Sequence, residues 1–150
     1  MKSYKSWLAL AGIGMRLTAG AWAAEIEKGA TLYERLGGMP AIRAVAEDLL
    51  PRILADSRIN RWFAHAAADP ERGEAYKTKL ADLICQATGG PCKYTGDMAA
   101  VHQGQGITVE AFNAMVEDIE ATLDKLKVPE KEKQQVLSLL APLKAIIVQR

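Results

Sequence analysis

The chain has 150 residues, 49% of them hydrophobic and 25% charged, which suits one ordinary globular domain with a single well-packed core. Lys and Arg number 19 against 18 Asp and Glu, a net charge of +1, and no run of basic residues forms a stripe. That balance removes the electrostatic argument for DNA or RNA as a partner, so no nucleic acid is expected.

Residues 1–23 differ from the rest. MKSYKS gives a positive start, WLALAGIG is apolar, and AGAWA ends in small residues around Trp22, the pattern of a secretory signal peptide cleaved after Ala23. Arg16 interrupts the apolar stretch, and the alternatives are an uncleaved membrane anchor or an ordinary N-terminal helix. The run is short for a spanning helix, so a membrane is expected as partner only if the segment is left uncleaved. Cleavage removes three basic residues and no acidic one, giving a net charge of −2 on a domain of residues 24–150. Export, to a periplasm, is the expected location. In an oxidising compartment Cys85 and Cys92, seven apart around a Gly-Gly-Pro turn, can close a small loop. Two buried free thiols are the other reading, and the spacing fits no zinc pattern.

Past residue 30 the signals are helical, and no stretch alternates apolar and polar residues as a strand does. Thr31 with Glu34 makes a capping box for a short helix stopped by Gly37 and Gly38. Pro40 suits the first turn of a second helix, in which Ile42, Val45, Leu49 and Ile53 recur at helical steps and Pro51 should bend the axis or shift the register. RINRWFAH reads as a short helical connector, and AAADPERG as a loop or helix start. A long helix is expected from about Pro70 to Thr88 with Leu80, Leu83, Ile84 and Ala87 on one face, ended by Gly89-Gly90-Pro91. A loop then runs to Met98. Thr108 can cap a helix whose stripe is Phe112, Met115, Val116, Ile119, Leu123 and Leu126. Pro129 opens a last helix that carries Val136, Leu137, Leu140, Leu143, Ile146 and Ile147 on one face despite Pro142. The result is an all-α fold of about four main helices burying their stripes on one another.

Most site chemistry lacks its residues. No GxSxG elbow occurs, the glycines of HQGQGIT follow a helix rather than a strand, and neither histidine belongs to an HExxH or ExxH pattern. A haem site asks for less: one ligand, usually His, and a flat apolar slot. His102, on the short apolar patch AAVH, can supply that ligand, although a lone histidine there also fits a core or surface role.

TLYERLGGMPAI, RILAD, WF, ATGGP followed by KYTG, MAAVHQGQGIT and a final LLAPL occur in this order. Together they resemble the group I truncated haemoglobins, over about residues 31–147. The resemblance implies a truncated globin-like two-over-two helical sandwich around one haem b per chain, with His102 as the proximal iron ligand. It implies haem-pocket roles for Phe63, Met98, Phe112 and Met115, haem-edge contact or loop anchoring for Tyr94, and pairing with a haem propionate for Lys79. Gly37, Gly38, Gly89, Gly90 and Gly96 match turn positions that favour positive φ. His65 is expected in an exposed loop.

The distal side departs from the family. Leu50 stands where group I members carry a tyrosine that donates to bound dioxygen, and Leu80 where they carry its supporting glutamine; Tyr76 lies one turn before. The distal pocket thus expected from Leu50, Tyr76 and Leu80 lacks its usual donors, which implies faster O2 release unless Tyr76 takes over. The implied ligands are O2, NO or CO, with NO detoxification by O2 and an unidentified electron donor as the accompanying reaction. The alternative is a six-coordinate redox or gas-sensing haem protein with Lys79 or another residue on the distal iron.

Overall fold

A computed structural model describes residues 29–149, so the expected signal peptide of residues 1–23 lies outside the described part. Among the described residues the regular secondary structure is entirely helical. They form α1 (Leu32–Leu36), α2 (Gly38–Ala55), a 3-10 turn (Asn60–Phe63), α3 (Ala64–Ala67), α4 (Pro70–Ala87), α5 (Met98–His102), α6 (Val109–Lys125), α7 (Glu130–Leu140), a second 3-10 turn (Ala141–Leu143) and α8 (Lys144–Ile147).

The helix starts follow from their caps. The Thr31 hydroxyl accepts from the Glu34 N–H at 3.2 Å, and the Glu34 carboxylate accepts from the Thr31 N–H at 2.8 Å, which completes the capping box. Asp69 accepts from the Arg72 N–H ahead of Pro70 in α4, and Thr108 accepts from the Ala111 N–H ahead of α6. Pro51 does not end α2, which runs through it to Ala55. Its ring is exposed, so the carbonyl it deprives of a partner can turn to water.

α2 packs on α4 and on α6, and α6 packs on α7. Ile42, Val45, Leu49 and Ile53 of α2 are buried as their spacing predicts, together with Ala46 and Leu50. On α4 the buried centre is Ala81 and Cys85, whereas Leu80, Leu83 and Ile84 are half-buried and Ala87 is exposed. The expected apolar face is therefore split. Its small residues are sealed against α2 with Leu80 and Ile84 packed at the edge of that contact, while Leu83 lies on the cavity side. α6 divides in the same way: Ala111, Ala114 and Thr122 are buried along with Phe112 and Leu123, Met115 and Val116 are half-buried, and Leu126 is exposed. The last helix is shorter than expected, because Pro142 lies in a 3-10 turn that separates α7 from α8.

Cys85 and Cys92 form a disulfide that ties the end of α4 to the segment leading into α5. Gly89 takes φ +87 at the turn between them. Gly37 and Gly38 are also at positive φ, but Gly90 and Gly96 are not and serve another purpose, which is room. A Cβ on Gly90 would lie 2.6 Å from both Cys85 Sγ and the Tyr33 ring, and one on Gly96 would lie 2.2 Å from the Tyr94 hydroxyl.

Two stability consequences follow. The disulfide closes a loop between residues seven apart, and replacing both cysteines by Ala should cost about 2 kcal/mol in urea unfolding, by the loop-entropy relation. The second concerns Asp118 in α6, which is buried with Oδ2 lacking a hydrogen-bond partner; burial, with the Asp56 charge nearby, raises its pKa above the ordinary 3.8. An acid whose folded pKa is raised gives its full contribution below the unfolded value and loses it as pH rises through the folded one. Asp118→Asn should therefore be more stable than the parent at about pH 7, with the gain shrinking toward about pH 3 in urea titrations.

Candidate functional site

Leu80 and Leu83 of α4 and Met115 and Val116 of α6, left half-buried by the helix contacts, line a cavity of about 360 Å³. Its walls are α2 through Leu49, the connector through Trp62 and Phe63, α4, α5, α6, and the α7–α8 region through Leu140, Leu143 and Ile147. Volume in the range of a small-molecule site, mostly apolar lining and a few polar groups are what a buried organic ligand requires.

His102 is the last residue of α5. That helix starts on Asp97, whose carboxylate accepts from the N–H groups of Ala99 at 2.9 Å and Ala100 at 3.1 Å. One turn back from His102, the Met98 carbonyl lies 2.6 Å from Nδ1. A carbonyl only accepts, so Nδ1 carries a proton, and in the neutral ring Nε2 keeps its lone pair. A histidine with Nδ1 satisfied by a backbone carbonyl is oriented to bind a metal through Nε2. The half-buried imidazole lines the cavity.

Phe63, Tyr76, Lys79, Leu80, Tyr94, Met98, Phe112 and Met115 all join His102 on the wall. Phe63 meets Tyr76 edge to face, with ring centroids 5.4 Å apart. Burial, with Tyr94 close by, pushes the Tyr76 phenol above the ordinary tyrosine range, so it remains an O–H donor across physiological pH. Tyr94 is anchored by its backbone N–H, which donates to Gln86 Oε1 at 2.8 Å. Lys79 lies at the rim with its side chain exposed.

Leu50 is not brought into the cavity. It is buried, and its side chain lies 3.7 Å from the position a Cβ on Gly73 would take, in the contact between α2 and α4. Leu49 lines the cavity instead, since one residue along a helix rotates the side chain by about 100°. Both residues are apolar, so α2 offers the cavity no donor from either position. His65, in α3, is exposed and outside the cavity, with Arg72 Nη1 3.4 Å from its Nδ1.

Two wall residues lie outside the site set expected from the sequence. The Trp62 indole N–H donates to the Gln105 carbonyl at 2.9 Å, joining the connector to the loop after His102, and the Arg61 guanidinium lies 3.9 Å over its ring. Leu83 continues the cavity face of α4 one turn beyond Leu80, and only its spacing could have marked it.

Two helix pairs and a short helix presenting one histidine to an apolar slot define the two-over-two globin class. Residues 31–149 match the model of the Bacterial-like globin family. A group 1 truncated hemoglobin of Mycolicibacterium paratuberculosis is 33% identical over 115 residues, covering 76% of this chain and 81% of that protein. One of Synechocystis is 35% identical over 105 residues, covering 67% and 81%. Among solved structures, a 2/2 hemoglobin of Synechococcus, described in the cyanomet state with covalently attached heme, superposes with a TM-score of 0.70 at 30% identity, over 81% of this chain and all of the other. The truncated hemoglobin of Tetrahymena pyriformis, at 24% identity and a TM-score of 0.71 over the same shares, supports the fold. The chain belongs to the bacterial-like globins and, within them, to the group 1 truncated hemoglobins. Membership of that family implies haem and a gas ligand such as O2.

Proposed function

We propose that this chain binds one haem b through His102 Nε2 and takes O2, NO or CO at the other face of the iron. The observation that carries this reading is the Nδ1 contact to the Met98 carbonyl at 2.6 Å, which leaves Nε2 free on the wall of an apolar cavity. The residues present fit the group. Phe63, Met98, Phe112 and Met115 supply apolar surface for a flat macrocycle, and exposed Lys79 at the rim, with Tyr94, suits its propionates. The solvent exposure of Lys79 favours that role over ligation of the iron, for which a dry pocket would be needed.

Bound haem supplies the iron at which gas binding and one-electron chemistry occur; the protein sets access, polarity and orientation. Tyr76 is the hydroxyl the sequence offers in place of the donors lost at Leu50 and Leu80, and its position on the cavity wall supports that substitution. Detoxification of NO, with O2 and an external electron donor, is the reaction this pocket suits. The Cys85–Cys92 disulfide supports export to an oxidising compartment, such as a periplasm. Among the described residues, no helix is long and apolar enough to cross a membrane.

The haem reading predicts a Soret band in the purified, haem-loaded protein that is lost or collapses to free-haem absorption in His102→Ala. A His102→Ala protein with an unchanged ligand-bound spectrum would refute it. The distal reading predicts that Tyr76→Phe speeds O2 release by about tenfold or more in stopped flow, the worth of one hydrogen bond to a polarised ligand. An unchanged off-rate would show that Tyr76 is not the donor.

A further inference from the structure

The five-residue helix that carries His102 is fastened from outside itself. Gln149, two residues beyond α8, makes three hydrogen bonds to the turn that follows α5. Its Nε2 donates to the His102 carbonyl at 2.7 Å, its Oε1 accepts from the Gly106 N–H at 2.9 Å, and its backbone N–H donates to the Ile107 carbonyl at 2.9 Å. One carboxamide thus spans the turn from 102 to 106, using its donor at one end and its acceptor at the other. The assignment of its oxygen and nitrogen follows from those partners, since a carbonyl cannot donate and an amide N–H cannot accept.

The turn needs such a fastening. Gly104 and Gly106 both take positive φ, at +75 and +65, so its backbone has little steric stiffness of its own. The His102 carbonyl is one of the last in α5, where a helix has no further turn to satisfy it, and inside the turn only the Gln105 N–H reaches it, at 3.2 Å. The imidazole is held by the Met98 carbonyl, and the backbone that carries it is held on the loop side by Trp62 through Gln105 and on the α8 side by Gln149. The same α8 closes the cavity with Ile147, two residues before Gln149.

We propose that Gln149 is a positioning residue for His102: its carboxamide fixes the turn after α5, so that Nε2 stays aimed into the cavity and the α8 wall stays shut. The proposal rests on His102 being the iron ligand. Gln149 does not touch the cavity and acts through the His102 backbone. Because its side chain is exposed, variants should fold.

The test uses the haem-loaded full chain with Gln149→Leu, which removes both side-chain bonds, and Gln149→Glu, which keeps an acceptor for Gly106 but has no donor for His102. Two readouts report on positioning: the iron–histidine stretching band of the ferrous, ligand-free protein by resonance Raman, and the rate of haem transfer to excess apomyoglobin. Gln149→Leu should shift or broaden the band and speed haem loss about five- to tenfold, with Gln149→Glu in between, while the thermal midpoint of the apoprotein changes little. A Gln149→Leu protein with the parent's band and parent's rate overturns the proposal. Running His102→Gly in parallel separates the two readings. If the parent has the band and His102→Gly lacks it, an unchanged Gln149→Leu defeats only the positioning role. If the parent shows no Soret band that His102→Gly removes, the haem reading and the positioning role fall together.

Discussion

A helix of five residues cannot hold its own geometry, because nucleating the first turn fixes several dihedrals for a single hydrogen bond. α5 is such a helix, and it carries the proposed iron ligand. Much of the surrounding chain serves to fix it: Asp97 caps its start, Met98 orients the imidazole, and Trp62 and Gln149 hold the turn beyond it from two directions. A ligand misplaced by an ångström would change how the iron meets a gas, so these bonds matter more to function than to overall stability.

The larger helices solve a second problem, which is to make a solid core and a slot from the same surfaces. Small residues do the first task. Ala46, Ala81, Ala111 and Ala114 are almost wholly buried, and Gly73 sits against Leu50, so the backbones of α2, α4 and α6 can approach closely. Large residues do the second. Leu80, Leu83, Met115 and Val116 turn to the cavity and line it with hydrocarbon, and Tyr76 adds the hydroxyl. The two tasks fall on adjacent sectors of each helix, with Leu49, Leu80 and Ala111 at the boundary, touching both the core and the cavity.

This division explains what could be read in advance. Caps were legible because Thr31, Glu34, Pro70 and Thr108 act on neighbours three residues away or closer. The stripe of α2 was legible because its period is regular. The place of His102 on the cavity wall was legible through the motifs around it, and that of eight further wall residues through the resemblance those motifs carry. Leu50 was not placed correctly, because a count along the chain fixes a position without saying which of two adjacent leucines faces the slot. The buried centre of α4 was not legible, because the small Ala81 and Cys85, and not the larger Leu83, fit the tight contact with α2. The roles of Trp62 and Gln149 were illegible for a different reason: their partners are 43 and 47 residues away, and no local pattern announces a hydrogen bond over that distance. Whether Cys85 and Cys92 pair depended on the path of the turn between them, which the fold brings close enough for a bond.

Trp62 has one more property. Of the three tryptophans in the sequence, it alone lies among the described residues, and its ring forms part of the cavity wall. An indole beside a porphyrin gives up its excitation by energy transfer instead of emitting. Shortened to the domain without residues 1–23, the protein would carry a built-in optical gauge of its own slot: bright when empty, dark when filled, and able to time the arrival or departure of the cofactor without any added dye.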